Sequence, residues 1–586
     1  VSAIVLLVIG LLAFLAGYQI YSRYIARHIY RLDPDFVTPA HELEDGVDYV
    51  PTNRHVLFGH HFTSVAGAAP IVGPAIAVIW GWLPAFLWVV LGTIFAGAVH
   101  DFGTLWISAR HKGNSIGTLA DRIVGGRARV LFLLIIFFLL LMVNAVFAVV
   151  IANLFLANHG AVLPVWGSLV VALVVGLLIY RTRVGILWPS LAALAVLYLM
   201  IWMGQYVEFG LPDFFNFSPT ASQLAAAGGD VAQAQEAARV DGVRAGWVIV
   251  LFVYAFFASV LPVWVLLQPR DYVNSHQLFV ALGIIFLGVL VVNPQVVAPA
   301  VNRDLPPDAP SWFPLLFITI ACGAISGFHG LVASGTSSKQ LNTETDARYV
   351  GYGGMIGEGT LALTSILATT AGFALFVGRT GWYEHYGSWE QASSGATTAF
   401  VNGVGVLAEG IGIPHQVAVI FAAVVVISFA ATTMDTGVRL QRYIVSELGA
   451  EYGIAIARNR WVATLVAVAS CAVLALGIDR GAGGMRLWPL FGTTNQLTGA
   501  LSLLVLTLFL LKLKRPIWVT VIPLAFLLFM TTWAMVVNLI RYFTESHALL
   551  LGVGGVIFVL EIWLIFEAVG AIRRSRVRGD HARPAP

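Results

Sequence analysis

The sequence predicts an all-α polytopic membrane protein, and three observations carry that prediction. The first is composition: of 586 residues 59% are hydrophobic and only 11% charged, with a mean hydropathy of +0.85, whereas soluble domains carry about 25% charged residues. The second is a succession of apolar stretches near the ~20 residues that a bilayer-spanning helix requires. The third is the placement of the 33 Lys and Arg, most of which fall in alternate loops.

The apolar windows lie at about 1–21, 60–82, 84–109, 130–157, 162–180, 184–207, 246–267, 276–297, 314–338, 353–378, 416–438, 461–478, 487–511, 517–540 and 547–571, which predicts about fifteen transmembrane helices. The first stretch has no basic region ahead of it and runs into Tyr21, Ser22 and Arg23 rather than a small-residue cleavage site, so a retained helix is expected. With the N-terminus outside, the basic groups from Arg23 to Arg31, Arg110 to Arg129, Arg439 to Arg460 and Lys512 to Arg515 all fall inside. That asymmetry predicts a multi-pass protein of the inner membrane with a cytoplasmic C-terminus. The expected organisation is a leading helix with an acidic cytoplasmic loop over 1–58, a first five-helix repeat over 59–209 and an external loop with an amphipathic helix over 210–245. A second five-helix repeat over 246–450 and a four-helix segment with a basic tail over 451–586 complete it.

Several function classes are disfavoured by the same reading. The chain shows no P-loop and no dinucleotide fingerprint, which argues against ATP-driven pumping. Its basic residues form no stripe of the kind that binds nucleic acid. Cys322 and Cys471 both lie inside apolar segments and read as small core residues, so neither a disulfide nor a metal site is expected. No cofactor is expected beyond a coupling ion, H+ or Na+, and the chain is not expected to be an enzyme.

Broken helices supply the functional signal. GHHFTSVAGAAPIVGP, Gly59 to Pro74, crowds Gly67, Pro70, Gly73 and Pro74 into the middle of a predicted span. Interrupted backbone at bilayer depth is tolerated where it is buried in protein or lines a cavity, and there it can hold a substrate or ion. A second fault is expected at Pro262, ahead of QPRDY at Gln268 to Tyr272. Five crossings separate the two, which places them in opposite directions, as in the five-plus-five inverted repeat of LeuT-like transporters. The segment ISGFHGLVASGTSSKQ, Ile325 to Gln340, places hydroxyls where such proteins hold a cation. The competing reading is that these glycines and prolines serve packing alone.

Long motifs in these stretches resemble the carbon starvation protein A family: RHVLFGHHFTSVAGAAPIVGP (Arg54 to Pro74), WGWLPAFLW (Trp80 to Trp88), GAVHDFGTLWISAR (Gly97 to Arg110), ACGAISGFHGLVASGTSSKQL (Ala321 to Leu341) and MRLWPLFGTTNQLTGALSL (Met485 to Leu503). The resemblance implies ion-coupled uptake of peptides or pyruvate under carbon starvation, within the amino acid-polyamine-organocation superfamily.

Ionisable groups inside a membrane are costly, so each is a candidate. His60 and His61 open the second helix, Asp101 lies on the third, His329 on the ninth and Glu358 on the tenth. Folded together they would form a proton-coupling cluster, since histidine titrates near neutrality. A position near the water interface, or an ion pair of Asp101 with Arg110 or Arg270, is the structural alternative. Arg270 and Lys339 are candidates for a substrate carboxylate, against simple snorkelling to the interface. Ser334, Thr336 and Ser337 are candidate sodium ligands, against a role as interhelical glue. Two rival functions stand beside transport. A membrane metal or haem redox protein would need facing histidines, and a non-transporting starvation sensor would need a signalling domain. The sequence does not choose between peptide and pyruvate, and it leaves the oligomeric state open.

Overall fold

The computed structural model describes residues 1–46, 48–182, 185, 187–212, 215–262 and 265–577. Among these the regular structure is helical, apart from the isolated bridges Ser2 to Gln295 and Thr52 to Leu341. Among the described residues twelve helices are long and apolar enough to cross a membrane, or thirteen if the bent pair Arg54–Val65 and Ala69–Trp80 counts as one span. The expected windows at 184–207 and 314–338 do not meet that measure. Leu187–Met203 has 17 residues, and the 314–338 region is split into two short helices.

The helices that position the site are α1 (Ala3–Tyr30), the bent pair α2 (Arg54–Val65) and α3 (Ala69–Trp80), α4 (Trp82–Ala109), α5 (Gly126–Ala157), α6 (Val162–Thr182) and α7 (Leu187–Met203). Next come α8 (Val231–Val260), α9 (Leu267–Val292), the short pair α10 (Trp312–Thr319) and α11 (Gly327–Gly335), α12 (Arg348–His385), α13 (Ala396–Glu409) and α14 (His415–Glu451). The chain continues through α15 (Arg460–Gly477), α16 (Trp488–Lys512), α17 (Trp518–Thr544) and α18 (Ala548–Val577).

Two interrupted helices lie side by side. The first breaks between Val65 and Ala69 with a bend of 48°, where the sequence places Gly67 and Pro70. The second break lies between Thr319 and Gly327, not at Pro262. α8 runs unbroken to Val260, and Pro262 is exposed in the connection to α9. Proline after a helix end is an ordinary stop signal, since it cannot continue the helix, and that is its role here. In the loop where an amphipathic helix is expected the structure has a short helix, Ala221–Ala226, followed by the start of α8. Gly228 and Gly229 take positive φ, Asp230 caps the N–H groups of Ala232 and Gln233 at 2.9 and 3.2 Å, and α8 is already under way at Val231.

The two interrupted helices run antiparallel. Thr52, ahead of α2, donates its N–H to Gln340 O beyond α11 at 3.1 Å, while Trp80 at the end of α3 donates to Pro310 O ahead of α10 at 2.9 Å. The helices that follow each pair repeat the relation. α4 and α12 each contain a π-helical turn, Thr93–Gly97 and Ala368–Gly372, and α5 and α14 are long, at 32 and 37 residues. Arg129 near the start of α5 meets Glu451 at the end of α14 at 3.4 Å, and Asn144 meets Gln441 at 3.0 Å, so these too are antiparallel.

Candidate functional site

At the second break the freed carbonyls are taken up by side chains from two neighbouring helices, α4 and α16. Trp88 Nε1 reaches Phe317 O and Ile320 O at 3.2 and 3.3 Å, Thr93 Oγ1 reaches Gly323 O at 3.0 Å, and Trp488 Nε1 reaches Thr319 O at 3.3 Å. Gln496 Nε2 donates to Phe317 O at 2.5 Å, and Asn495 Oδ1 accepts from Phe328 N at 3.0 Å at the start of α11. This is how unwound backbone survives in an apolar core. Gly73 lets α3 lie against this break: a Cβ there would stand 3.2 Å from Ile320 Cα and 3.3 Å from Thr319 C. Gly67 does the same at the first break, where a Cβ would meet Thr433 Oγ1 at 2.6 Å and Phe147 at 2.7 Å.

Beside the breaks lies a chain of ionisable groups with no solvent exposure: Asp101, His329 and Glu358 are all at 0%. His100 Nδ1 and His329 Nδ1 approach the two oxygens of Asp101 at 2.7 and 2.8 Å, and His329 Nε2 lies 2.8 Å from Glu358 Oε2. An ionised Asp101 accepts from both rings, which puts the proton of a neutral His329 on Nδ1 and turns Nε2 toward Glu358. The small Gly330 admits the His100 ring, whose Nε2 a Cβ would meet at 3.0 Å. The expected cluster of Asp101, His329 and Glu358 is thus brought together, and Asp101 pairs with histidines rather than with Arg110 or Arg270. His61 is also fully buried and contacts Ser337 Oγ through Nδ1 at 2.8 Å, while its Nε2 has no hydrogen-bond partner among the described residues.

A second polar cluster sits on the other side of α2. His60 Nδ1 meets Asp271 Oδ2 at 3.1 Å, and Thr63 Oγ1 meets Asp271 O at 3.2 Å. Arg270, 3% exposed on its side chain, lies 3.6 Å from Asp271, donates to Tyr254 Oη at 2.6 Å and is paired with Asp435. Asp435 thus joins Arg270 across the bundle, from α14 to α9. Arg439 donates to Ala258 O and Leu261 O at the end of α8, at 3.0 and 2.6 Å. Arg270, Tyr254, Asn274, Trp166, Ile151 and Ser428 line a cavity of about 20 Å³, the room of about one water. The two histidines at the centre of α2, adjacent in sequence, therefore face different clusters.

The remaining candidates lie elsewhere. Ser334 and Thr336 donate back to Gly330 O and Val332 O of their own helix at 2.6 and 2.8 Å. Lys339 is half-buried with its ammonium 5.3 Å from the centroid of the Tyr49 ring. Arg110 holds the buried Glu344 through two bonds of 2.5 and 2.8 Å, and that pairing raises the Arg110 guanidinium above its ordinary pKa. Sequence reasoning missed Asp271, Tyr254, Asn274 and Asn495. Each meets its partner from a distant segment, so no local spacing marks it.

The profile of the family described as carbon starvation protein CstA matches residues 2–376 and 383–534. The chain belongs to the CstA family. It is 32% identical to the pyruvate/proton symporter BtsT of Escherichia coli (strain K12), over 91% of this chain and 81% of that protein. It is 33% identical to the peptide transporter CstA of Mycobacterium tuberculosis, over 88% of this chain and 72% of that one. Against the peptide transporter CstA of Escherichia coli (strain K12) the identity is 32%, over 91% and 81%. Family membership and the apolar helices together make the chain a multi-pass membrane transport protein.

Proposed function

We propose that this CstA-family chain is a proton-coupled secondary uptake transporter for small carboxylates such as pyruvate, or for short peptides, and that it serves when carbon is scarce. The observation that carries the reading is the buried Asp101–His329–Glu358 chain beside two antiparallel helix breaks. An imidazole held between two carboxylates is a group that can take up and release one proton without leaving a lone charge in the apolar core. The relatives support both halves of the proposal, one being named a pyruvate/proton symporter and others peptide transporters.

A carboxylate is common to pyruvate and to every peptide. Arg270 is the guanidinium we assign to it, because planar two-pronged donors match carboxylates. Asp435 holds Arg270 when no substrate is present, and the substrate carboxylate takes its place. The cavity beside Arg270 is too small for pyruvate as it stands, so this is an occluded arrangement that opens when the halves rock. α2 connects the two clusters: His60 reports on the Asp271–Arg270 side and His61 lies toward Ser337 and the His329 chain. Movement of α2 at Gly67 and Pro70 would then couple substrate to proton in a LeuT-like alternating-access cycle. In this arrangement the N-terminus faces outward and the C-terminus the cytoplasm.

The test is uptake of labelled pyruvate and a labelled dipeptide into proteoliposomes. An inward pH gradient is expected to drive accumulation above equilibrium, and a protonophore to abolish it. Accumulation driven by a sodium gradient alone, or simple equilibration under both gradients, would overturn the proton reading.

A further inference from the structure

The buried cluster contains a donor set that the coupling proposal does not use in full. Cys322, in the second break, lies beside His329 of α11 and Glu358 of α12, and one donor atom from each falls within 4.8 Å of the others. All three side chains are buried, Cys322 at 5% and the other two at 0%. We propose that Cys322 Sγ, His329 Nε2 and the Glu358 carboxylate form a binding site for a divalent transition metal of the zinc class.

Three features point to a ligand rather than to a closed hydrogen-bond network. His329 Nε2 and Glu358 Oε2 face each other at 2.8 Å, and among the described residues Glu358 Oε1 has no hydrogen-bond partner. Unpartnered buried polar atoms are rare because each costs about 1–3 kcal/mol. The second feature is the orientation of His329. Asp101 fixes its Nδ1 at 2.8 Å, which is the carboxylate–histidine–metal relay that turns the other ring nitrogen's lone pair toward an ion. The third is the setting of the thiol. Cys322 Sγ accepts from Asn495 Nδ2 at 3.2 Å, an amide donor suited to a thiolate, and donates to Ser326 Oγ at 3.4 Å.

Sulfur, nitrogen and oxygen donors in a set of three are the chemistry of Zn2+ and its neighbours, and they exclude Mg2+ and Ca2+, which take oxygen ligands. Bonds of about 2.0–2.3 Å put tetrahedral ligand atoms roughly 3–4 Å apart, so the cluster contracts slightly on binding. The fourth position is left for water or an anion. On binding, the metal takes the Cys322 sulfur as thiolate and releases the thiol proton, while the neutral imidazole and the carboxylate donate lone pairs. The ion then ties the unwound segment to α11 and to α12. That tie holds the second break fixed and competes with the proton for His329, so bound metal arrests the cycle.

The experiment uses the tag-free full chain in detergent, titrated with Co2+ as the probe, followed by competition with Zn2+. The expected result is one Co2+ per chain with a thiolate-to-cobalt charge-transfer band, displaced by Zn2+. Cys322→Ser, nearly isosteric, should lose that band, and Asp101→Asn should weaken binding by about tenfold or more. Elution profile and thermal midpoint show that each variant is folded, and a wild-type chain that binds no stoichiometric Co2+ overturns the proposal without any variant. A charge-transfer band that persists in Cys322→Ser also overturns it, since the sulfur would then be Cys471. Metal binding is read here without transport, so its failure leaves the coupling proposal standing and the reverse also holds.

Discussion

Removing Arg270 should harm the protein more than removing the carboxylate it is paired with. Arg270 lies among Asp271, Asp435 and Tyr254, and the side chains of the ion-paired groups are at most 3% exposed. In Arg270→Met, Asp271 and Asp435 lose their shared counter-charge and lie buried near one another, a change of the class that costs about 3–5 kcal/mol. In Asp435→Asn the guanidinium keeps Asp271 at 3.6 Å and Tyr254 at 2.6 Å, so the loss is that of a charged hydrogen bond, about 1.5–3 kcal/mol. The double variant Arg270→Met/Asp435→Leu removes one charge of each sign and fills the space with apolar atoms. Such replacements are often neutral, and the double variant should be more stable than Arg270→Met alone. The assay is the thermal midpoint by tryptophan fluorescence at one scan rate in one detergent, read as a rank order because large membrane proteins unfold irreversibly. Transport of carboxylates should be lost in both variants that lack Arg270. Destabilisations that simply add in the double variant would refute the coupling of the pair.

Two further outcomes follow from the packing. Gly73→Ala forces a methyl against the carbonyl of Thr319 and to 3.2 Å from Ile320 Cα, a strain of about 1–3 kcal/mol. Its thermal midpoint and uptake should both fall, whereas Gly552→Ala, with nothing within 4 Å, should match the wild type, and equal behaviour of the two would contradict the close approach of the breaks. Glu344→Gln removes the charge that holds Arg110 and weakens the acceptor for Asp33 N, at 2.5 Å, at a cost of about 1.5–3 kcal/mol. Trypsin should then cut faster at Arg31 or Arg54, the ends of the loop that Glu344 anchors, and an unchanged rate would remove that anchor.

The first break was legible because Gly67, Pro70, Gly73 and Pro74 mark it with residues that disfavour helix. The second was misplaced for the complementary reason. Between Ile320 and Ser326 there is no proline, and only Gly323 signals that the helix stops. The unwinding is fixed by Trp88, Thr93, Trp488 and Gln496, which take carbonyls from a distance in sequence. Pro262 lies just beyond the end of α8 at Val260, in the connection to α9. The same limit governed the site. His61, Asp101, His329 and Glu358 stood out because a charge or an imidazole in lipid needs a reason, and the fold joins the last three. Asp435 meets Arg270, which the fold supplies from α9 and no local spacing marks. Cys322 read as a small core residue because its neighbours His329 and Glu358 approach only when α11 and α12 pack against the break.

The central claim, that the carboxylate–imidazole–carboxylate chain carries the coupling proton, is tested most directly by measuring proton entry and substrate entry together in proteoliposomes of wild type and Glu358→Gln. The wild type should acidify the lumen in step with pyruvate or dipeptide uptake. Glu358→Gln should still exchange labelled for unlabelled substrate across the membrane, yet move no protons with it and accumulate nothing under a pH gradient. A Glu358→Gln protein that acidifies the lumen and concentrates substrate as the wild type does would contradict the account.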